Sequence, residues 1–284
     1  MDRRLGGLVA GKQSRLHLER KNTSWAAQPR RVMPVSTSDG GIERSTLVVI
    51  PTYNERTNIE AALAQLLAAH ADLDVLVIDD SSPDGTAQIV EQIASASKRV
   101  HLLVRPRKMG LGTAYITGFE WGLERGYEAL VEMDADLSHD PAEVASLLAA
   151  LSEADLAIGS RYVDGGRVVN WGLARRLLSR TANLYVRLWL RLGVRDATSG
   201  YRAWRSAILP SLDLKTVRSE GYGFQIEMTR RLVKSHGRVL EVPITFHERA
   251  VGDSKMDSGI VVEALVSVTK WGVLDTLGAL RKQR

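Results

Sequence analysis

Val131-Glu132-Met133-Asp134-Ala135-Asp136-Leu137-Ser138-His139-Asp140-Pro141 lies near the middle of the 284-residue chain, and its reading sets the fold class. The apolar run from Ala129 to Met133 predicts a short buried strand, and two carboxylates one residue apart meet the turn that follows it. Asp140 reads as an N-cap with Pro141 at the first helical position, so a helix starts just after the strand stops. Strands that feed helices in this way build open α/β sheets, whose ligands gather at the carboxyl ends of the strands. Residues at i and i+2 of an extended segment point the same way, so Asp134 and Asp136 can offer oxygens to one hard divalent cation, which in turn carries a diphosphate. Asp-x-Asp is a short pattern, however, and a plain strand breaker at Asp136 would produce it too.

Toward the N-terminus the same unit repeats. Leu47-Val48-Val49-Ile50 predicts a strand stopped by Pro51. Thr57-Asn58-Ile59-Glu60 has the form of a capping box, and Ile59, Leu63, Leu66 and Leu67 carry an amphipathic helix to about His70. Val75-Leu76-Val77-Ile78 predicts a second strand, a helix with Ile89, Val90 and Ile93 follows, and Val100 to Val104 reads as a third strand. This alternation means an α/β fold with a mostly parallel sheet and right-handed crossovers. Three of the predicted strand ends are polar: Pro51-Thr52-Tyr53-Asn54-Glu55, Asp79-Asp80 and Asp134-Ala135-Asp136. Turn formation alone does not call for carboxylates at all three. Gly110-Leu111-Gly112-Thr113-Ala114 is expected to open a helix, its glycines letting backbone N–H groups approach a phosphate. It is neither a Walker loop nor a G-x-G-x-x-G dinucleotide fingerprint, which argues against a P-loop ATPase.

Composition narrows the class further. The chain has no cysteine, which excludes disulfides and thiolate metal sites and fits a reducing, cytosol-facing location. No run of about 18 uncharged apolar residues is present, so no transmembrane helix is expected, and no apolar signal-peptide core is seen near the start. Nine of the 38 Lys/Arg and four of the 33 Asp/Glu fall in residues 1–44, leaving 29 of each beyond. The net charge of +5 therefore belongs to this segment, which is expected to be a disordered basic tail or linker. An anionic membrane could attract it; no aromatic-basic pattern of a nucleic-acid module follows, and no nucleic acid partner is expected.

The blocks Pro51-Thr52-Tyr53-Asn54-Glu55, Val77-Ile78-Asp79-Asp80-Ser81-Ser82-Pro83-Asp84-Gly85-Thr86, Gly110-Leu111-Gly112-Thr113-Ala114-Tyr115, Met133-Asp134-Ala135-Asp136-Leu137-Ser138-His139 and Gly159-Ser160-Arg161-Tyr162 occur in the order found in a known family. Together they resemble the inverting GT-A glycosyltransferases of family 2, and more narrowly the dolichol- or polyprenol-phosphate mannose synthases. The resemblance runs from about Leu47 to about Lys255. It implies a Rossmann-like GT-A domain over residues 45–255, followed by an amphipathic helix over 256–284. It also implies that Pro51, Tyr53, Glu55 and Asp80 line a nucleoside pocket, and that Asp134-Ala135-Asp136 meets the nucleotide-sugar, its two carboxylates holding Mg2+ or Mn2+. Ser138 occupies a position where some relatives have a further metal ligand, Gln; either Ser138 or water would complete an octahedral ion.

From Ala174 to Leu192, Leu177, Leu178, Leu184, Tyr185, Leu188 and Leu192 recur at helical spacing, with Arg176, Arg180, Arg187 and Arg191 grouped beside them. Such a basic amphipathic helix either packs on the sheet or lies on a membrane surface. The resemblance favours the membrane, because the acceptor it implies is a polyprenyl phosphate, and it names Arg161, Arg175, Ser179 and Arg249 as the acceptor-phosphate set, with Asp136 and Arg161 catalytic. Arg202, Gln225 and Glu227 are lesser candidates at the acceptor end. Val239 to Phe246 reads as a late strand with Pro243 marking an edge or irregularity, and residues 252–256 as a mobile loop over the acceptor. Ile260, Val261, Ala264, Leu265, Val268 and Trp271 form one helical stripe, interrupted for membrane crossing by Glu263, Lys270 and Asp275.

The function implied is metal-dependent inverting transfer of mannose from GDP-mannose to polyprenyl phosphate, by a peripheral protein on the cytoplasmic face of a membrane. A membrane-anchoring protein partner is a further expectation, since the chain shows no span of its own. The rival within the class is glucosyl transfer from UDP-glucose. Rivals outside it are a phosphate-accepting receiver domain and an inactive scaffold that binds nucleotide-sugar.

Overall fold

The computed structural model describes residues 46–248 and 258–282. The basic segment 1–44, the expected loop at 252–256 and Arg249 lie outside the described residues.

The first three strands fall where their apolar runs place them: β1 Thr46–Thr52, β2 Asp74–Asp79 and β3 Val100–Val104. Helices α1 Ile59–Ala69, α2 Thr86–Ala96 and α3 Leu111–Glu124 connect them and lead to β4 Ala129–Glu132. After β4, Asp140 accepts from the Ala142 N–H and caps a 3₁₀ turn, Pro141–Glu143, which runs into α4 Val144–Ala150. Then follow β5 Leu156–Ser160, β6 Arg167–Val169, α5 Leu173–Leu190, β7 Arg202–Arg205, α6 Gly221–Lys234, β8 Val239–Pro243, β9 Thr245–His247 and α7 Ser258–Lys282. The main sheet has the order β3-β2-β1-β4-β7-β5-β8, parallel except that β7 runs against both its neighbours. The chain winds from β1 outward to β3, then returns to place β4 on the other side of β1. The β1/β4 boundary is thus a topological switch point, where such sheets leave a crevice.

Alternation along the central strands loads both faces of the sheet. Leu47, Val49, Leu76 and Ile78 face a core completed by Phe119 of α3, Phe224 and Met228 of α6, Val186 of α5 and Val268 of α7. Val48, Ile50, Val75 and Val77 face the other core, completed by α1, α2 and α4. Gly118 and Gly122 let α3 lie close on the sheet, since a Cβ at either would run into Val49 or Leu130.

Two local expectations are corrected. No side chain caps α1: the helix begins at Ile59 after Asn58, whose amide donates to Glu55, and the Glu55 carbonyl accepts the N–H groups of Asn58 and Ile59. A backbone turn therefore does the work assigned to the Thr57/Glu60 capping box. The late strand splits in two at Ile244, whose N–H bonds to the Ser160 carbonyl. β8 ends at the sheet edge with Pro243, while β9 leaves to pair with β6.

The long helices α5 and α7 pack on each other, with a hydrogen bond between the Tyr185 and Thr269 hydroxyls at 2.8 Å and the Trp189 Nε1–H donating to the Thr269 carbonyl at 3.1 Å. Asp275 ties α7 to α6 by accepting from Arg230 and Lys234. Only one side of α5 is covered: Asn183, Val186 and Leu190 are buried, whereas Leu173, Leu177, Leu178, Leu184, Leu188 and Trp189 are exposed. α7 likewise exposes Val262, Val266, Val273, Leu274 and Leu277. No described helix is long and apolar enough to cross a membrane.

Candidate active site

The crevice at the β1/β4 boundary is a cleft of about 490 Å3. β1 contributes Pro51 and the residues after it, Tyr53 and Glu55; β2 contributes Asp80 just past its end; β4 contributes Asp134, Ala135 and Asp136; and β5 contributes Arg161. The cleft thus receives every nucleotide-side residue expected from the sequence, each from a strand's carboxyl end.

The two aspartates sit in a tight turn. Leu137 has φ +62°, and Asp136 Oδ1 accepts from the Ser138 N–H at 3.0 Å. Asp136 is almost fully buried. The Tyr115 hydroxyl reaches Asp134 Oδ1 at 3.4 Å, and burial beside the carboxylates pushes that phenol well above its ordinary range, so it remains a donor. The Asp134 N–H donates to His139 Nδ1 at 3.3 Å, which leaves the ring proton to Nε2. Burial lowers His139 to about 4, and the ring stays neutral, stacked on Tyr201 at 4.6 Å.

Among the described residues no group of three or more His, Cys, Asp or Glu side chains comes together to hold a metal. Two carboxylates can therefore supply only part of a coordination shell. Ser138 Oγ, buried and lining the same cleft, has no hydrogen-bond partner among the described residues. Two carboxylates and a neighbouring hydroxyl are hard oxygen donors, a set that fits Mg2+ or Mn2+.

The β1–β2 side of the cleft carries a further layer of contacts. Asp80 accepts from Arg105 Nε at 2.5 Å and from the Met109 N–H at 2.9 Å, so its carboxylate is held rigidly at the wall. Lys108 places its ammonium 4.5 Å from the Tyr53 ring centroid and lines the cleft. The glycine loop divides its labour: Gly110 lines the cleft at φ +95°, whereas Gly112 is a packing residue that lets α3 approach Ser219 and Phe224 of the α6 side.

On the opposite side Arg161 and Arg175 reach the cleft together with Trp171, Tyr222, Phe246 and Glu248. Arg161 is buried, and its Nε and Nη2 fork onto Asp196 at 2.7 Å each, with Thr198 also accepting. Desolvation opposes its charge, but the Asp196 partner outweighs it and raises the guanidinium pKa, so Arg161 is a fixed cation. Arg175, half exposed, lies 4.2 Å over the Trp171 ring and pairs with Glu248 at 3.0 Å. Trp171 Nε1 is buried without a partner among the described residues.

Three expected acceptor-side residues are not brought to the cleft. Ser179 lies outside its lining and accepts from the Tyr162 hydroxyl at 2.6 Å. Arg202 is fully buried and spends its donors on the carbonyls of Ala197, Ser199 and Gln225 and on Thr229, a structural role. Glu227 is taken up by Ser219 and Arg231. Gln225 does line the cleft, its amide anchored on buried Glu132 at 2.6 Å. Sequence reasoning gave no role to Lys108, Trp171 or Glu220, whereas Tyr222, which lines the cleft, belongs to the block Gly221 to Glu227 that the resemblance places at the acceptor end. Lys108 was legible in Arg107-Lys108 beside a strand end, but a single Trp between two elements carries no periodic signal.

A family model described as glycosyl transferase family 2 matches residues 47–212. The chain is 51% identical over 235 residues to an undecaprenyl-phosphate mannosyltransferase of Micrococcus luteus, covering 83% of this chain and 97% of that protein. It is 50% identical over 238 residues to a polyprenol monophosphomannose synthase of Mycolicibacterium smegmatis, covering 83% and 90%. Among solved structures, glucosyl-3-phosphoglycerate synthase from Mycobacterium tuberculosis in complex with Mn2+ and UDP-glucose superposes with a TM-score of 0.58 at 20% identity, covering 80% of each chain. That likeness concerns the fold, which is of the GT-A type.

Proposed function

The chain belongs to glycosyl transferase family 2, and from that premise we propose that it transfers mannose from GDP-mannose to the phosphate of a polyprenol, with inversion at the anomeric carbon. The observation that carries the acceptor is on one helix. α5 places Arg175 in the cleft and exposes Leu173, Leu177 and Leu178 within a turn of it, so a phosphate held by Arg175 can trail a hydrocarbon chain along an apolar surface. The 51% and 50% identical relatives, named for undecaprenyl-phosphate and polyprenol acceptors, support the same reading.

The nucleoside diphosphate takes the β1–β2 side of the cleft, against Pro51, Tyr53, Glu55 and Asp80. Asp134 and Asp136, with Ser138 beside them, would hold Mg2+ or Mn2+, which when bound neutralises charge developing on the departing diphosphate. The acceptor is a phosphate monoester with a second pKa of about 6, largely dianionic at neutral pH and already nucleophilic. The chain's own task is to bring two anions together and align them. Arg161 supplies a preorganised cation, locked by Asp196, at the cleft wall, and Arg175 supplies a second that can exchange Glu248 for phosphate oxygens. His139 is too weak a base to compete with the phosphate for a proton, and none has to be removed.

The protein acts as a peripheral enzyme on the cytoplasmic face of a membrane, through the apolar faces of α5 and α7, with a membrane-anchored protein as an additional partner. The deciding experiment is transfer from labelled GDP-mannose, and in parallel UDP-glucose, to a short polyprenyl phosphate with Mg2+, Mn2+ or EDTA. Lipid-linked β-mannose that disappears with EDTA is the expected result. Glucose transfer alone would overturn the donor, and undiminished mannose transfer in EDTA would overturn the metal.

A further inference from the structure

A second cavity, an open depression of about 240 Å3, is lined by Tyr162, Arg180, Asn183, Leu184, Arg187 and Arg195, and it shares no lining residue with the cleft described above. Arg180 and Arg187 lie two turns apart on α5 and are exposed, and among the described residues no ion pair engages either. Arg195, half exposed, reaches the fully exposed Asp164 only at 3.6 Å. The floor is a buried amide. Asn183, 3% exposed, donates its Nδ2 to the Ser179 carbonyl and to Thr198 Oγ1, both at 3.0 Å, and these bonds fix the orientation of the side chain. Its Oδ1 is left as a buried acceptor without a partner among the described residues.

Three guanidinium groups ask for a phosphate, and a lone acceptor beside them asks for a hydroxyl. Leu184, in the cavity wall, and Leu188, one turn on, are both exposed, so the ligand's continuation is hydrocarbon. We propose that this cavity seats the headgroup of an anionic phospholipid whose phosphodiester carries a free hydroxyl, of the phosphatidylglycerol class, at a site separate from that of the acceptor lipid. The assignment rests on the reading that α5 lies on a bilayer. Diffuse attraction between arginines and a charged surface would not discriminate between lipids of equal charge, whereas a built pocket does.

The test is partition of the full chain onto phosphatidylcholine vesicles doped equally with phosphatidylglycerol or with phosphatidylserine, which carry the same net charge. The expected result is a preference for phosphatidylglycerol of about fivefold, the worth of one well-made hydrogen bond. The preference disappears in an Arg180→Gln/Arg187→Gln variant, while Arg191→Gln, on the same helix but outside the cavity, weakens both vesicles alike. Equal partition of the wild type, or a preference that survives the double substitution, overturns the site. Soluble glycerophosphate should compete only at concentrations well above those of the vesicle lipid; free glycerophosphate bound as tightly as the vesicle lipid overturns the lipid as its ligand. Equal pocket-dependent binding to vesicles doped only with polyprenyl phosphate assigns the cavity to the acceptor and overturns the proposal. Failure to bind any vesicle overturns both this site and the membrane reading beneath it.

Discussion

Arg161, almost fully buried at the cleft wall, is held by fully buried Asp196 through two parallel hydrogen bonds, so neither charge can be removed without stranding the other. Breaking such a pair costs about 3–5 kcal/mol, and Asp196→Asn is expected to lower stability by that order in chemical denaturation. Burial pushes the Asp196 carboxyl up, but the Arg161 charge and hydrogen bonds outweigh it and hold the pKa below 3.8. A depressed folded pKa means stability that is complete above the unfolded value and lost as the pH falls through the folded one. The stability gap between wild type and Asp196→Asn should therefore be level at neutral pH and shrink below about 3.8; a gap that widens in acid would contradict this account. Asp136 tests the chemistry instead. Asp136→Asn keeps the Asx turn, since an amide oxygen still accepts from Ser138, yet removes the carboxylate charge on which the proposed metal site depends. Turnover should fall by roughly 10²–10³, and Mn2+ titrated into the protein with GDP should bind far more weakly by electron paramagnetic resonance. Asp134 and Asp136 were legible because two carboxylates at a strand end follow from chain order. Asp196 was not legible as their neighbour's partner, because 35 residues separate it from Arg161 and only the antiparallel insertion of β7 brings that region alongside.

The pairing of α5 with α7 shows how far periodicity reaches. Leu177, Leu184 and Leu188 announced an amphipathic helix, but the pattern alone fits a stripe turned inward as well as one turned outward. Asn183, Val186 and Leu190 carry the inward face, and the leucine stripe is left to solvent. Replacing Leu177 and Leu188 by Gln removes no contact in the core, so the melting midpoint should stay within the change expected of about 0.5 kcal/mol. Partition onto vesicles should drop by more than about tenfold, because each buried leucine is worth about 1.5–3 kcal/mol. A double variant that melts early instead would mean that these leucines pack within the protein. Gly272 marks where α7 meets α5: a Cβ there would run into the Trp189 indole. Gly272→Leu is expected to cost about 1–3 kcal/mol by overpacking, read as faster hydrogen exchange in α7 with the central sheet unaffected. The capping box failed for a related reason. Thr57 and Glu60 have the right spacing, but Glu55 lies in the cleft and its carbonyl was already placed to close the turn.

Charge is distributed so that residues 45–284 are neutral and the 1–44 segment carries the whole surplus of +5. Neutrality of the body does not make its surface uniform, since Arg180, Arg187 and Arg191 are exposed beside the apolar stripe of α5. Two kinds of attraction to a membrane should then be separable: an apolar part from α5 and α7, insensitive to salt, and an ionic part shared between α5 and the basic segment. Basic residues near an anionic surface contribute about 1 kcal/mol each, and that contribution fades over about 10 Å at 0.1 M salt. A chain lacking residues 1–44 begins just before β1 and keeps every described cleft residue, so its kcat on detergent-dispersed acceptor should equal that of the full chain. On anionic vesicles it should bind more weakly than the full chain at low ionic strength, and the difference should vanish as salt rises. Identical partition at every salt concentration would show that the segment stays clear of the surface and serves as a linker, leaving the ionic attraction to the arginines of α5.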